Sequence, residues 1–281
     1  MKTPLTMAAL AAILLATGCL KDPHPSDPDP GPTAPGWVVS SWTVITSEQF
    51  PLTAPKVPFR KQEAIFHYNS LFKPVRKLNR STLEGDTLQL YENYVDSFFY
   101  DDQHRVAELR GYLGHGLEYM TKYSYNAQDT LPAKMEYYQV NLAVLELFST
   151  KEYFYEPEDV LAVTTSVHGI DSSWYDYENG NFMNYVEQYG ITHYYQSYTD
   201  VVNPLLFHNI PNGLVIAAPL ALEAPVRISR NQWETSLEIQ NMVVDSVTMN
   251  AQGLPAIVHV SEPYSNGRRY HDIRYEYIPA E

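Results

Sequence analysis

The chain reads as mainly β: one large curved antiparallel sheet, laid down as a meander of hairpin repeats, with little helix. Three observations predict this. The windows Trp37 to Thr46, Leu117 to Tyr125, Trp233 to Met249 and Arg268 to Ile278 are rich in Val, Ile, Thr, Tyr, Phe and Trp, which suit a pleated, half-buried surface. Several windows alternate with a period of two. Ile273, Tyr275 and Tyr277 fall on one face while Arg274 and Glu276 fall on the other, and Met135 and Tyr137 alternate with Lys134 and Glu136 in the same way. A sheet with one dry and one wet face is the habit of antiparallel pairing. Asn266-Gly267 and Asn179-Gly180 are turn dipeptides suited to the hairpins between such strands. No segment sustains a 3.6-residue stripe, so helix is expected only as a turn or two near Pro204 to Asn209.

Composition excludes several classes of function. The 281 residues carry 33 acidic and 19 basic side chains, a formal charge of −14. Nucleic-acid binding needs clustered Lys and Arg to displace counterions from phosphates, so no nucleic-acid partner is expected. At 44% apolar and 13% aromatic residues the chain is too rich in bulky side chains to stay disordered. Its single cysteine, Cys19, rules out an intramolecular disulfide framework and a Cys-rich zinc site.

The first residues predict export. Lys2 supplies a positive n-region, and Leu5 to Ala16 is an uncharged run too short to span a bilayer, which wants about 20 apolar residues. Leu15-Ala16-Thr17-Gly18-Cys19 resembles the lipobox of bacterial lipoproteins, with Ala16 standing where that family prefers Leu. The resemblance implies a signal peptide over 1–18 and a diacylglyceryl group on the Cys19 thiol. The membrane, reached through that N-terminal lipid, is then the first partner. Leu20 is not the Asp that resembles an inner-membrane retention signal, so the outer membrane is expected, on its periplasmic or its cell-surface side. From Asp22 to Gly36 the chain reads DPHPSDPDPGPTAPG, with six prolines and little to bury. With Cys19 this makes 19–36 a stalk. Extended polyproline geometry gives its fifteen Pro-rich residues a reach of roughly 45 Å. Residues 37–281 form the β domain.

The β domain repeats internally. Tyr68-Asn69-Ser70, Tyr100-Asp101-Asp102, Tyr125-Asn126-Ala127, Tyr155-Glu156-Pro157 and Met249-Asn250-Ala251 each place an aromatic residue or Met before Asn, Asp or Glu, ahead of an apolar strand. YNAQDTLPAKM and MNAQGLPAIV share Asn-Ala-Gln and Leu-Pro. Each unit reads as a hairpin: the Tyr closes a strand, and the Asn or Asp bonds its own backbone two residues on. These units resemble the YD-type repeat, and the chain from about Glu63 to Tyr277 is similar to the YD-repeat-like outer-membrane lipoproteins of the Bacteroidota. Asp200-Val201-Val202-Asn203-Pro204 with Ser229-Arg230-Asn231 adds to that likeness. It implies a curved sheet in the cell envelope and brings no catalytic residue.

Chemistry is sparse along the chain. The nucleophile elbow, P-loop, dinucleotide fingerprint and HExxH motif are absent, and the nine histidines form no i, i+2 or i, i+4 pair. His271-Asp272 would sit on opposite faces of a strand. Asp176-Tyr177-Glu178-Asn179-Gly180 with Glu187 has its glycine one place early for an EF-hand loop, so a hairpin is expected there. No catalytic residue, metal site or cofactor is therefore assigned. The densest feature is aromatic: nine rings lie between Trp174 and Tyr198. They suit a sheet core, and they also suit an exposed platform on which Trp174, Tyr175, Tyr177, Tyr194 and Tyr195 would hold a glycan, a peptide or an envelope protein. The expected function is a lipid-anchored, non-catalytic binding or scaffold protein. The alternative is an envelope hydrolase or other enzyme with a site assembled by the fold.

Overall fold

The structure is a computed structural model that describes residues 36–82, 91–127, 129–156, 159–178, 181–187, 192–203, 231–236, 242–264 and 266–280. All lie in the unit Gly31–Glu281. They form sixteen strands: β1 (Trp37–Gln49), β2 (Val57–Tyr68), β3 (Pro74–Ser81), β4 (Tyr91–Tyr100), β5 (Val106–Leu113), β6 (Gly116–Ser124), β7 (Lys134–Asn141), β8 (Val144–Tyr155), β9 (Asp159–Ser166), β10 (Gly169–Glu178), β11 (Asn181–Glu187), β12 (Thr192–Val202), β13 (Asn231–Ser236), β14 (Met242–Met249), β15 (Pro255–Tyr264) and β16 (Gly267–Pro279). Pro204 to Asn209, the expected helical turn, lies outside the described residues.

Each strand pairs antiparallel with its sequence neighbours, and β1 also pairs with β16, so the meander closes on itself as a barrel. The curved sheet predicted from the sequence is therefore a closed one, and closure removes the two edges an open meander would expose. Pairing is shortest between β13 and β14, where Thr235 faces Val243 and Ser236 faces Met242. A meander alternates direction, which puts alternate connections on opposite rims. Among the described residues, the proximal rim holds Trp37, Pro279 and the turns that follow even-numbered strands. The distal rim holds the described turns that follow odd-numbered strands.

The repeats become hairpin turns on the proximal rim. Asn69 Oδ1 accepts the N–H groups of Leu71 (2.9 Å) and Lys73 (3.0 Å). Asp101 Oδ1 accepts those of Gln103 and Arg105 (both 2.9 Å), and Asn250 Oδ1 those of Gln252 (3.0 Å) and Leu254 (2.9 Å). In all three turns the residue three places after the Asx is left-handed: Phe72 (φ 54), His104 (φ 62) and Gly253 (φ 74). The tyrosines complete the unit. The hydroxyl at the end of one strand donates to a carbonyl near the start of the strand before it: Tyr100 to Pro74 (2.6 Å), Tyr125 to Val106 (2.7 Å), Tyr155 to Pro132 (2.6 Å) and Tyr277 to Pro255 (2.7 Å), with Tyr68 bonding Val39 in the same sense. Buried carbonyls that the ladder leaves open are thereby satisfied.

Of the two turn dipeptides, one reading changes and the other holds. Tyr264 pairs with Gly267, so the β15–β16 connection is 265–266 and Gly267 opens β16. Glycine is needed there for space, because a Cβ would lie 2.3 Å from the Gln49 carbonyl oxygen. Glu178 pairs with Asn181, which makes 179–180 the connection of a hairpin, although Asn179 and Gly180 themselves lie outside the described residues.

Register sorts side chains to the two faces. Ile273 and Tyr275 of β16 face inward opposite Val44 and Trp42 of β1, and Val258 of β15 joins them, while Arg274 and Glu276 are exposed outward. These inward residues belong to a buried cluster that also takes in Ala64, Phe66, Phe98 and Tyr123. A second cluster packs Tyr153, Val160, Ala162, Tyr175, Tyr177 and Phe182.

The left-handed His104 supplies a test of the turn. Its Cβ makes that conformation cost about 1–2 kcal/mol, and glycine returns roughly half of this through its larger unfolded-state entropy. His104→Gly is expected to stabilise the protein by about 0.5–1 kcal/mol in denaturant unfolding.

Candidate functional site

The inner face changes character along the barrel. Toward the proximal rim it is aliphatic and aromatic, whereas midway and toward the distal rim it carries charge. Lys77 of β3 and Asp96 of β4 are cross-strand partners on the inward face, 4% and 6% exposed, with Nζ 3.8 Å from Oδ2. Asn79 Nδ2 donates to Asp96 Oδ2 (2.9 Å), and the Tyr119 hydroxyl of β6 donates to Oδ1 (2.6 Å). Tyr119 reaches Asp96 by crossing Gly111 of β5, where an added Cβ would lie 2.1 Å from the ring. Glycine in mid-strand is here the condition for that bond. Burial lowers the Lys77 pKa, with Asp96 working against the shift, and burial followed by the Asp96 charge raises that of Tyr119.

A second inward cluster joins β1, β15 and β16 nearer the distal rim. Arg269 Nη2 lies 2.8 Å from Glu48 Oε1, and Nη1 lies 3.0 Å from Oε1 of Glu262, which is fully buried. His271 Nδ1 bonds the Thr46 hydroxyl (3.2 Å), while its Nε2 stands 3.5 Å from Glu262 Oε1 without a hydrogen bond. Burial lowers the His271 pKa, and the Glu262 carboxylate offsets part of this. The sequential neighbour Asp272 faces outward instead and meets His259 Nδ1 at 2.7 Å. His271 and Asp272 thus belong to different faces and do not act as a couple. Chemically the inner clusters are self-partnered: each carboxylate has its cation or donor, and none is held apart as a free base. Among the described residues no three His, Cys, Asp or Glu side chains gather where they could hold a metal ion.

The aromatic stretch divides. Tyr175 and Tyr177 are buried in the second apolar cluster, with Tyr177 and Phe182 ring centroids 5.7 Å apart, because they alternate onto the inward face of β10. Trp174, which precedes Tyr175, lies on the outward face and is exposed. These three rings therefore do not share one surface. The side chains of Tyr194 and Tyr195 on β12, and Cys19, lie outside the described residues.

The outer wall carries charge along its strands. Glu108, Lys122 and Glu136 stand in successive register on β5, β6 and β7. Glu63 of β2 meets Arg80 of β3 at 3.3 Å, Lys134 meets Glu136 at 2.8 Å, and Ser41 donates to Glu276 (3.0 Å). Apolar exposure concentrates instead on the distal rim, where Leu142, Val144, Val167 and Ile170 cap the adjacent β7–β8 and β9–β10 hairpins. Sequence reading missed both features. Val140 to Phe148 looks like one apolar strand, since Leu142-Ala143 is not turn chemistry. Lys77 and Asp96 acquire each other only through register.

No family model matches the chain, and no curated protein matches it. Among solved structures it is similar to a porin-like protein from Bacteroides uniformis ATCC 8492, at 12% identity over 85% of this chain and 98% of that one, with a TM-score of 0.42. A likeness of that size says nothing about what the wall or the inner face of this chain does.

Two outcomes test the buried charges. Asp96→Ala strands Lys77 and is expected to cost about 3–5 kcal/mol, while Lys77→Met combined with Asp96→Leu recovers most of that loss. For His271, the unfolded chain binds a proton near pH 6.5 and the folded chain only lower, so stability falls as the pH drops from about 7 toward 5. Glu262, Arg269 and Arg60 are the charged groups that act on it. Urea midpoints at pH 7.5 and 5.5 should show this fall, and His271→Gln should reduce it.

Proposed function

We propose that the chain is a lipid-anchored envelope protein, of the YD-repeat-like outer-membrane type, whose barrel stands in water and binds a partner without catalysing a reaction on it. The observation that carries this reading is the outer wall. A barrel embedded in lipid turns an apolar band outward, and a Lys or Arg facing the bilayer midplane costs about 2–4 kcal/mol. Here the outward positions include Glu63 and Arg274 in mid-strand and Arg80, Glu108, Lys122 and Glu136 nearer the strand ends, the wall of a body in water. Membrane attachment then falls to the acyl chains on Cys19, which hold a protein firmly when there are two or more. The tandem Tyr-Asx turns support the YD-like assignment, and the self-partnered inner charges support holding over reacting.

Trp37 opens β1 at the proximal rim, and the distal rim carries the uneven, apolar hairpins. That rim is where a glycan, peptide or envelope protein would be met. Membrane fractionation tests the reading. Wild-type protein should sediment with membranes, and Cys19→Ala should move it to the soluble fraction. Retention of the variant in alkali-washed membranes would show that the wall itself sits in lipid and would defeat the proposal.

A further inference from the structure

The barrel is closed, yet β8 projects beyond β9. β8 begins at Val144, but its pairing with β9 starts only at Ser149 opposite Ser166, where β9 ends and the chain turns into β10. Among the described residues no strand pairs with Val144 to Phe148 on that side. The other side is paired with β7, from Asn141 opposite Val144 to Tyr138 opposite Leu147. Across a two-residue hairpin the flanking pair is hydrogen-bonded and the pairs then alternate, so the N–H and C=O groups of Leu145 and Leu147 point to the open edge. An apolar edge of this kind is what natural sheets blunt with charge, proline or cover.

The composition of the overhang is also unusual for a solvated hairpin. Leu142 is 93% exposed, and Val144, Leu145, Leu147 and Phe148 are exposed as well. The turn is left-handed at both central residues, Leu142 (φ 50) and Ala143 (φ 66), where Asn-Gly would cost nothing. Strain and apolar exposure coincide at a site the fold does not require. In the middle of the edge stands one charge, Glu146, opposite Gln139 and 3.3 Å from Asn141 Nδ2. The β9–β10 turn, with Val167 and Ile170 exposed, forms the floor of the notch, and the Phe148 ring lies 6.3 Å from that of His168.

We propose that this notch takes an extended segment of a partner protein, added as a strand along β8, with apolar residues on either side of a Lys or Arg that faces Glu146. The proposal rests on the binding reading above and names its partner class. Charge decides against a second copy of this chain: antiparallel self-pairing centred here sets Glu146 against Glu146, between bodies that each carry a formal −14. A basic residue in an apolar strand satisfies the same edge with the opposite sign.

The test uses the full chain in detergent and fluorescein-labelled peptides of sequence Ser-Leu-Val-Lys-Val-Leu-Ser, or with Glu at the centre, read by anisotropy at low salt. The Lys peptide should bind about three- to tenfold tighter than the Glu peptide, and Glu146→Lys should invert that order. Leu147→Pro should abolish binding of both by removing the donor at the edge. If that variant fails to fold, the charge inversion still decides. Absence of binding, indifference of both proteins to the central charge, or sedimentation of a β8-dependent homodimer would overturn the proposal. A chain that binds neither peptide but is still released from membranes by Cys19→Ala would leave the anchored reading standing and remove this one alone.

Discussion

Strand register is the constraint on which the rest of the molecule depends. Successive side chains on a strand point to opposite faces, so a slip of one residue exchanges everything inside for everything outside. In the observed register Lys77 meets Asp96 and Glu262 meets Arg269 away from water, while Glu108, Lys122 and Glu136 line up in it. Moved by one place, the first set would be exposed and the second buried without partners, which costs several kcal/mol per ion. The proximal turns hold the register. Each Tyr hydroxyl measures the offset between two paired strands against a fixed carbonyl, and each Asx side chain fixes the length of the connection between successive strands.

The two rims divide the labour that follows from this. The proximal rim repeats one hydrogen-bonded device around the barrel. Hairpins of uneven length end at the distal rim, and there the β7–β8 hairpin overruns β9. Where a repeat regularises one end of a meander, variation in strand length has to appear at the other end. The uneven rim is also the one opposite Trp37.

Much of this was legible from residues alone, for identifiable reasons. Period-two alternation is a local property, so the faces of Ile273, Arg274, Tyr275 and Glu276 could be read directly from the chain. The Tyr-Asx turns were legible because an Asx turn is chemistry within four residues. What stayed hidden was set by distance or by strain. Closure depends on β1 meeting β16, more than two hundred residues apart, and no local pattern announces it. Gly267 looked like half of a turn dipeptide, but its reason is the Gln49 carbonyl, a neighbour supplied by that same closure. The Leu142-Ala143 turn was invisible because it violates the turn code. Tyr175 and Tyr177 looked available as a platform until the inward face of β10 was known.

The inside-out sense of the wall is measured most directly by a nitroxide spin label at Lys122→Cys, with the protein in native envelope membranes. The position lies on the outward face of β6, between inward-facing Thr121 and Tyr123. Collisions with a water-soluble nickel chelate should dominate over collisions with oxygen, as for a label in water. A label that collides with oxygen and is shielded from the chelate would lie in hydrocarbon, and the account of a tethered barrel standing outside the bilayer would be contradicted.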